Sequence, residues 1–221
     1  MARAAFRAGR AAEDVRLVGI VKTVPGDRVL EAIRAGLQDL GENRVQEAEA
    51  RIARSGAASE VGSVRWHLVG HLQRNKAGRA ARLFDRVHSL DGRELAIALS
   101  RHAAAAGRTL AVMIEVNVAR VASQFGATPE ELPALVSTVA VLPALALDGL
   151  MTVGPPAERA EDARTTFVAL RELRDRTARA TGVALPELSM GMSEDFEVAI
   201  EEGSTWVRIG RALFGEREPH A

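Results

Sequence analysis

Short apolar runs of strand length alternate with longer stretches of helical periodicity along almost the whole 221-residue chain, and few folds accept that rhythm. The runs are RLVGIV (16–21), LQDLG (37–41), VRWHLVG (64–70), FDRVHSL (84–90), LAVMIEVNV (110–118), LALDGLM (145–151), ELSM (187–190) and WVRIG (206–210). Between them lie helical segments such as DRVLEAIRAG, NRVQEAEARIAR, RELAIALSRHAAAA, PEELPALVSTVAVL and AERAEDARTTFVALRELRDRTARAT. Asp27 precedes the first of these, and Thr128-Pro129-Glu130-Glu131 places proline and acids in a first turn. Strands that read as continuous apolar runs are those covered by helices on both faces, which points to a parallel sheet. About eight strand-helix units make an α/β fold of the (β/α)8 TIM-barrel type the leading expectation, with a doubly wound open sheet as the competitor. GIVKTVPGD after the first strand lacks the G-x-G-x-x-G dinucleotide fingerprint, which weighs against the open sheet. The stretch RSGAASEVGS (54–63) reads as a surface loop and no linker stands out, so residues 1–221 are expected to form one domain.

Composition narrows the function. The formal net charge is +0, so no bulk electrostatic footprint for nucleic acid or an anionic membrane exists. The absence of cysteine excludes disulfides, cysteine zinc sites and thiol nucleophiles. MARAAFRAGRAAEDVR at the start is basic but lacks an apolar run long enough for a signal or membrane helix, and a cytoplasmic monomer is the expectation.

In a barrel of this kind the segments after each strand converge on one face. Lys22, Glu42 and Asn43, His71 with HLQRNK, Thr152, MGMSED and RIGRALFG would all gather there. Lysine occurs only at Lys22 and Lys76, and arginine fills every other cationic position. A solvated charge can be either residue, whereas an amine that must lose its proton and attack a carbonyl can only be lysine. After the seventh strand, SMGMSED brings Ser193 to a helix start, and after the eighth a glycine turn follows Arg208. Those two loops are the usual phosphate site of such barrels. A phosphate on one side and an amine on the other imply pyridoxal 5'-phosphate.

The ordered set IVKT, GENRVQE, WHLVGHLQRNK, GLMTV, SMGMSEDFEVAI and VRIGRALFG resembles the pyridoxal-phosphate homeostasis proteins, single-domain relatives of the alanine racemase N-terminal barrel. The resemblance implies that Lys22 is the Schiff-base lysine, and that Ser193 and Gly210 hold the phosphate. It further implies that Arg208 faces the pyridine nitrogen and Asn43 lines the pocket. A permanent cation there disfavours ring protonation and weakens the cofactor as an electron sink. The chain contains no tyrosine to act as a second base opposite the lysine. The resulting expectation is a carrier that holds the cofactor as an internal aldimine and serves vitamin B6 homeostasis, with PLP-dependent apo-enzymes as partners. A PLP-dependent amino-acid racemase is the alternative. Departures from the family pattern are Val21 before the lysine, Gln124, Arg211 after RIG, and a short segment before the first strand.

Other readings are weaker. His67 and His71 are four residues apart but lack a zincin glutamate and sit at a strand end, so no metal is expected. Glu42 and Glu115 could pair as glycosidase carboxylates, yet aromatic residues make up only 4% of the chain and leave little for sugar stacking. Lys76 reads as a solvated loop residue, and RELRDRTARAT as an exposed helix face.

Overall fold

The computed structural model describes residues 1–55, 64–154 and 159–215; the loop expected at 54–63 lies, from residue 56 onward, outside them. The strands are β1 (Arg16–Ile20), β2 (Asp39–Glu42), β3 (Arg65–Leu68), β4 (Arg86–Leu90), β5 (Leu110–Glu115), β6 (Leu145–Met151), β7 (Glu187–Ser189) and β8 (Trp206–Ile209). They pair in parallel in sequence order, and β8 returns to β1 with Val18 opposite Arg208, closing the barrel. The helices are α1 (Ala2–Arg7), α2 (Gly26–Arg34), α3 (Val45–Ser55), α4 (Ala77–Leu83), α5 (Arg93–Ala105), α6 (Leu132–Ala140), α7 (Arg164–Thr181), α8 (Phe196–Glu201) and α9 (Arg211–Phe214). The (β/α)8 expectation therefore holds, and the open sheet is excluded.

Period-two alternation divides the apolar residues between two cores. Inside the barrel Val18, Met113, Met151 and Trp206 pack together with Ile20 and Val153. Outside, Leu40, Leu68, Val112, Ile114, Leu150 and Leu188 meet the helices, which contribute Leu99, Val136, Phe167 and Leu170, together with Phe84 just past α4. On β8, Trp206 turns inward while Val207 and Ile209 turn outward against Ile200 of α8 and Ala4 and Ala5 of α1. The short segment before β1 is thus structured. Arg7 reaches Glu197 and Glu201 of α8 at 2.6 and 2.7 Å, and Arg10 donates to the carbonyls of Ile200 and Ser204.

Several boundaries differ from the sequence reading. Strand β2 runs to Glu42, which places that residue in the sheet rather than in the loop beyond it. Helix α2 begins at Gly26, so Asp27 lies in its first turn and Pro25 stands at its cap. The Thr128–Glu131 box forms, with the Thr128 N–H donating to Glu131 at 2.9 Å, but it closes a turn just ahead of α6. On α7 the arginines are not only a solvated face. Arg164 and Arg171 reach across to Glu202 near the end of α8, each at 2.6 Å.

Glycine admits inner-wall packing at Gly41, where an added Cβ would stand 2.6 Å from Ile20 Cδ1 and 2.8 Å from Val18 Cγ1. The constraint is harder at Gly149, where β6 meets β7 and a Cβ would fall 2.0 Å from the Glu187 carbonyl oxygen. Backbone cannot swing aside as a side chain can, so Gly149→Ala should lose at least about 1–3 kcal/mol of stability through overpacking. Urea denaturation measures this; an unchanged midpoint would show that β6 and β7 can separate without cost.

Candidate functional site

Strand β1 delivers Lys22 to the C-terminal rim. Val18 and Ile20 face the interior, and Lys22 continues the same two-residue alternation, while Val21 between them is buried and donates its N–H to the Gly41 carbonyl at 3.0 Å. The chain then bends sharply. Thr23 has φ +64°, a left-handed conformation that a β-branched residue adopts only when its surroundings impose it. Arg51 of α3 supplies the constraint. It donates from Nη2 to the Val21 carbonyl at 2.8 Å, from Nη1 to the Val24 carbonyl at 3.1 Å and from Nε to Glu42 Oε1 at 3.0 Å. Glu42 is fully buried; burial pushes its carboxyl up and the Arg51 guanidinium pulls it back. The turn carrying Lys22 is thereby clamped on both sides, yet the half-buried ammonium itself has no hydrogen-bond or ion-pair partner among the described residues.

Strands β7 and β8 end beside it. A Cβ on Gly210 would lie 3.6 Å from Ile20 Cβ, an ordinary contact, so packing alone does not demand glycine there. Gly191 is different: φ is +94° and an added Cβ would stand 2.5 Å from Ala199 Cβ. Its carbonyl accepts the Arg208 N–H at 3.0 Å. The following turn is closed by the Asp195 carboxylate, which accepts the Met192 N–H at 2.6 Å. Helix α8 consequently starts at Phe196, and Ser193 sits in the turn ahead of it rather than at the helix start expected from sequence. Ser193 Oγ accepts the Ala212 N–H at 3.2 Å and so ties the seventh loop to the eighth. Arg211 pairs with Glu194 at 2.6 Å on the exposed side. Asn43 lies on the bend between β2 and α3, where Gly70 approaches so closely that a Cβ would stand 2.4 Å from the Asn43 carbonyl oxygen.

Arg208 is only 5% exposed. Nη1 donates to Ser189 Oγ at 2.8 Å and Nη2 to the Thr152 carbonyl at 2.9 Å, while Thr152 Oγ1 donates to the Val116 carbonyl. Burial pushes the guanidinium down to about 10, with Glu115 and Asp195 opposing, so it stays charged at neutral pH. Glu115 at the end of β5 is pushed up to about 7 by burial; Arg208 opposes the shift and Asp91 adds to it.

Lys22, Asn43, Ser193, Arg208 and Gly210 thus fall on the contiguous stretch of barrel formed by β7, β8, β1 and β2. His67 and His71 separate: His67 points inward to Asp39, whereas exposed His71 pairs with Asp91 at 3.1 Å and stacks on Phe125 with ring centroids 3.7 Å apart. Among the described residues no cluster of three metal-type ligands occurs. Lys76 ends a short 3-10 turn (Arg74–Lys76) and lines an open groove with Arg44, Glu47 and Gln73. Gln124 donates to the Gly154 carbonyl at 3.4 Å. The sequence reading missed Arg51, Ser189 and His88; the visible signal for the last two was polar residues inside otherwise apolar strands.

Residues 3–218 match the alanine racemase N-terminal domain family. The pyridoxal phosphate homeostasis protein of Aquifex aeolicus is 44% identical over 216 residues, covering 98% of this chain and 93% of that protein. The chain belongs to the pyridoxal phosphate homeostasis protein family. The Pseudomonas aeruginosa member is 44% identical over 218 residues, covering 97% of this chain and 90% of that protein. PipY of Synechococcus elongatus, solved without PLP, superposes with a TM-score of 0.87 at 34% identity and covers 96% of this chain and 98% of its own; it has also been solved with PLP bound. Alanine racemase of Clostridium difficile shares the fold at 15% identity, TM-score 0.72, with 97% of this chain aligned to 55% of that one. No described helix is long and apolar enough to cross a membrane.

The Glu115 carboxyl carries a pH signature. Folded, it keeps its proton up to about pH 7, whereas the unfolded chain releases it near 4.5; stability therefore falls as pH rises through that window. The loss attributable to this group is on the order of 3 kcal/mol. Glu115→Gln abolishes it, so the variant's advantage in urea midpoint over the parent should widen between about pH 5 and 8. A constant difference across that range would contradict a protonated Glu115.

Proposed function

We propose that this protein is a pyridoxal 5'-phosphate carrier that joins the aldehyde to Lys22 as an imine and serves vitamin B6 homeostasis without demanding turnover. The observation that carries the reading is the Lys22 ammonium: without a partner among the described residues, on a turn clamped by Arg51, and on the same rim as the tied loops of Ser193 and Gly210. Its neighbours suit the ligand. Ser193 and the backbone about Gly210 would bind the phosphate, Arg208 would face the ring nitrogen, and Asn43 would line the ring. Bound there, the cofactor supplies a reactive carbonyl and an electron sink. Arg208, charged at neutral pH and buried, opposes protonation of the ring nitrogen and so weakens that sink. Arg211, paired with Glu194, leaves the phosphate end to Ser193 and backbone donors. The carrier acts as a cytoplasmic monomer of one domain and passes the cofactor to PLP-dependent apo-enzymes.

Borohydride reduction of the PLP-loaded protein followed by peptide mass spectrometry should place the pyridoxyl group on Lys22, and Lys22→Ala should remove the near-visible absorbance band while leaving circular dichroism unchanged. Labelling mainly at Lys76 would overturn the assignment.

The racemase alternative needs a second base, and the chain has no tyrosine. L-Alanine in deuterium oxide with loaded protein should therefore exchange its α-proton little faster than with free PLP. D-Alanine should not form at the rate of about 1 s⁻¹ or more expected of an enzyme. Turnover at such a rate, lost in Lys22→Ala, would replace the carrier with an enzyme.

A further inference from the structure

A continuous line of hydrogen bonds crosses the barrel interior from the N-terminal face to the guanidinium of the cofactor rim. Arg65 binds Asp39 with two hydrogen bonds of 2.7 Å. Asp39 Oδ1 lies 2.9 Å from His67 Nε2, His67 Nδ1 lies 2.8 Å from His88 Nε2, and His88 Nδ1 lies 2.8 Å from Ser189 Oγ. Ser189 Oγ then accepts from Arg208 Nη1 at 2.8 Å. The histidines and the serine are at most 1% exposed, so the contacts among these three are made without competition from bulk water.

The two ends, together with neutral imidazoles, fix the direction of every bond. Arginine has no acceptor, so Arg208 can only donate to Ser189. At the other end burial would raise the Asp39 carboxyl, but hydrogen bonds from His67 and Arg65 outweigh it and bring the group down to about 2, leaving an acceptor-only carboxylate. His67 Nε2 must then carry hydrogen. Burial lowers both imidazoles, and a neutral His67 presents a bare Nδ1 that accepts from His88 Nε2–H. Neutral His88 presents a bare Nδ1 in turn and accepts the Ser189 hydroxyl proton. Every group donates toward Asp39, and the Ser189 lone pairs are left for Arg208. The hydroxyl cannot rotate away, because His88 Nδ1 requires its proton.

We propose that Asp39, His67, His88 and Ser189 are positioning residues: together they form a polarised line that holds the Arg208 guanidinium in one donor arrangement from the far end of the barrel. The relevance to the cofactor rests on the reading that Arg208 faces the ring nitrogen. A lone Ser189 hydroxyl could turn among several acceptors; the line removes that freedom, and Thr152 fixes the second nitrogen of the fork.

The test begins with ligand-free protein, which separates this proposal from the carrier reading. Long-range proton–nitrogen NMR on nitrogen-15 histidine-labelled protein at pH 7 should find both His67 and His88 neutral and protonated on Nε2. A charged ring, or an Nδ1–H form at either residue, would overturn the line. Ser189→Ala deletes one hydroxyl with no added volume, and Asp39→Asn replaces the terminal acceptor with a side chain able to donate. Both should shift and broaden the Arg208 guanidinium resonances, although Asp39 lies at the opposite end of the line. Resonances unmoved in Ser189→Ala would refute the positioning role even if Asp39→Asn fails to fold. In loaded protein, both variants should weaken PLP retention about tenfold, with the Lys22 imine still trapped by borohydride. Unchanged affinity alongside shifted Arg208 resonances would refute the line's importance for the cofactor. If the parent protein binds no PLP, the carrier reading falls, and the Arg208 resonances alone decide the line.

Discussion

A guanidinium buried inside a parallel barrel is the demand around which the rest of the interior is arranged. Removing a cation from water costs several kcal/mol, and the cost is recovered only if its donors are met and its charge is opposed. Arg208 has its donors met from two strands, by Ser189 of β7 and the Thr152 carbonyl just past β6, and its charge is opposed by Asp195 and, once it ionises near pH 7, by Glu115 at the end of β5. None of these is an apolar filler of the sort that usually occupies the layers of such barrels. The apolar interior is correspondingly small, Val18, Met113, Met151 and Trp206 with Ile20 and Val153, and the stability of the fold rests mainly on the larger core outside the strands.

The same division separates what must be rigid from what must be free. As the proposed imine-forming residue, Lys22 needs an accessible amine at a fixed place, and a lysine stem has ample rotamer freedom to lose. Fixing the backbone instead of the ammonium resolves this. Arg51 engages two carbonyls of the turn and anchors itself on Glu42, so Thr23 can be held in its left-handed conformation while the Lys22 Nζ atom has no partner among the described residues. The strain sits one residue beyond the reactive group, where it does not consume the amine's own hydrogen bonds.

Legibility from sequence followed how local the signal was. Strand–helix alternation is a repeated local pattern, and it led to the closed barrel; the scarcity of lysine narrowed the candidate amines to Lys22 and Lys76, and the place of Lys22 after the first strand, with the family resemblance, favoured it. Element ends were less visible because they depend on tertiary partners: Glu42 reads as a loop acid but is drawn into β2 by Arg51, nine residues away, and α8 starts late because Asp195 closes its own turn. Ser193 was singled out from motif order, yet its link to Ala212 spans 19 residues and has no local trace. The His67–His88–Ser189 line was hidden for the same reason. Its members are 21 and 101 residues apart, and each alone looks like an isolated polar residue in an apolar strand.

The floor of the barrel shows why such a line can persist there. Arg16 and Arg86 stand over the Trp206 ring at 4.1 and 4.8 Å from its centroid, contacts worth roughly 0.5–2 kcal/mol each as cation–π pairs. Arg86 also pairs with Asp148 at 2.8 Å, and Arg16 with Glu187. These cations surround the entrance to His67 and are offset by Asp39, Asp85, Asp148 and Glu187. The Trp206 ring lies 5.1 Å from His67 and 6.0 Å from His88, centroid to centroid, and shields both imidazoles from water. An added proton on His88 would have to enter an already desolvated, cation-bordered space, with Arg86 on one side and Arg208 on the other. Cations and burial together favour the neutral ring at His88, burial outweighs the opposing Asp39 carboxylate at His67, and the orientation of Ser189 depends on residues that never touch the rim.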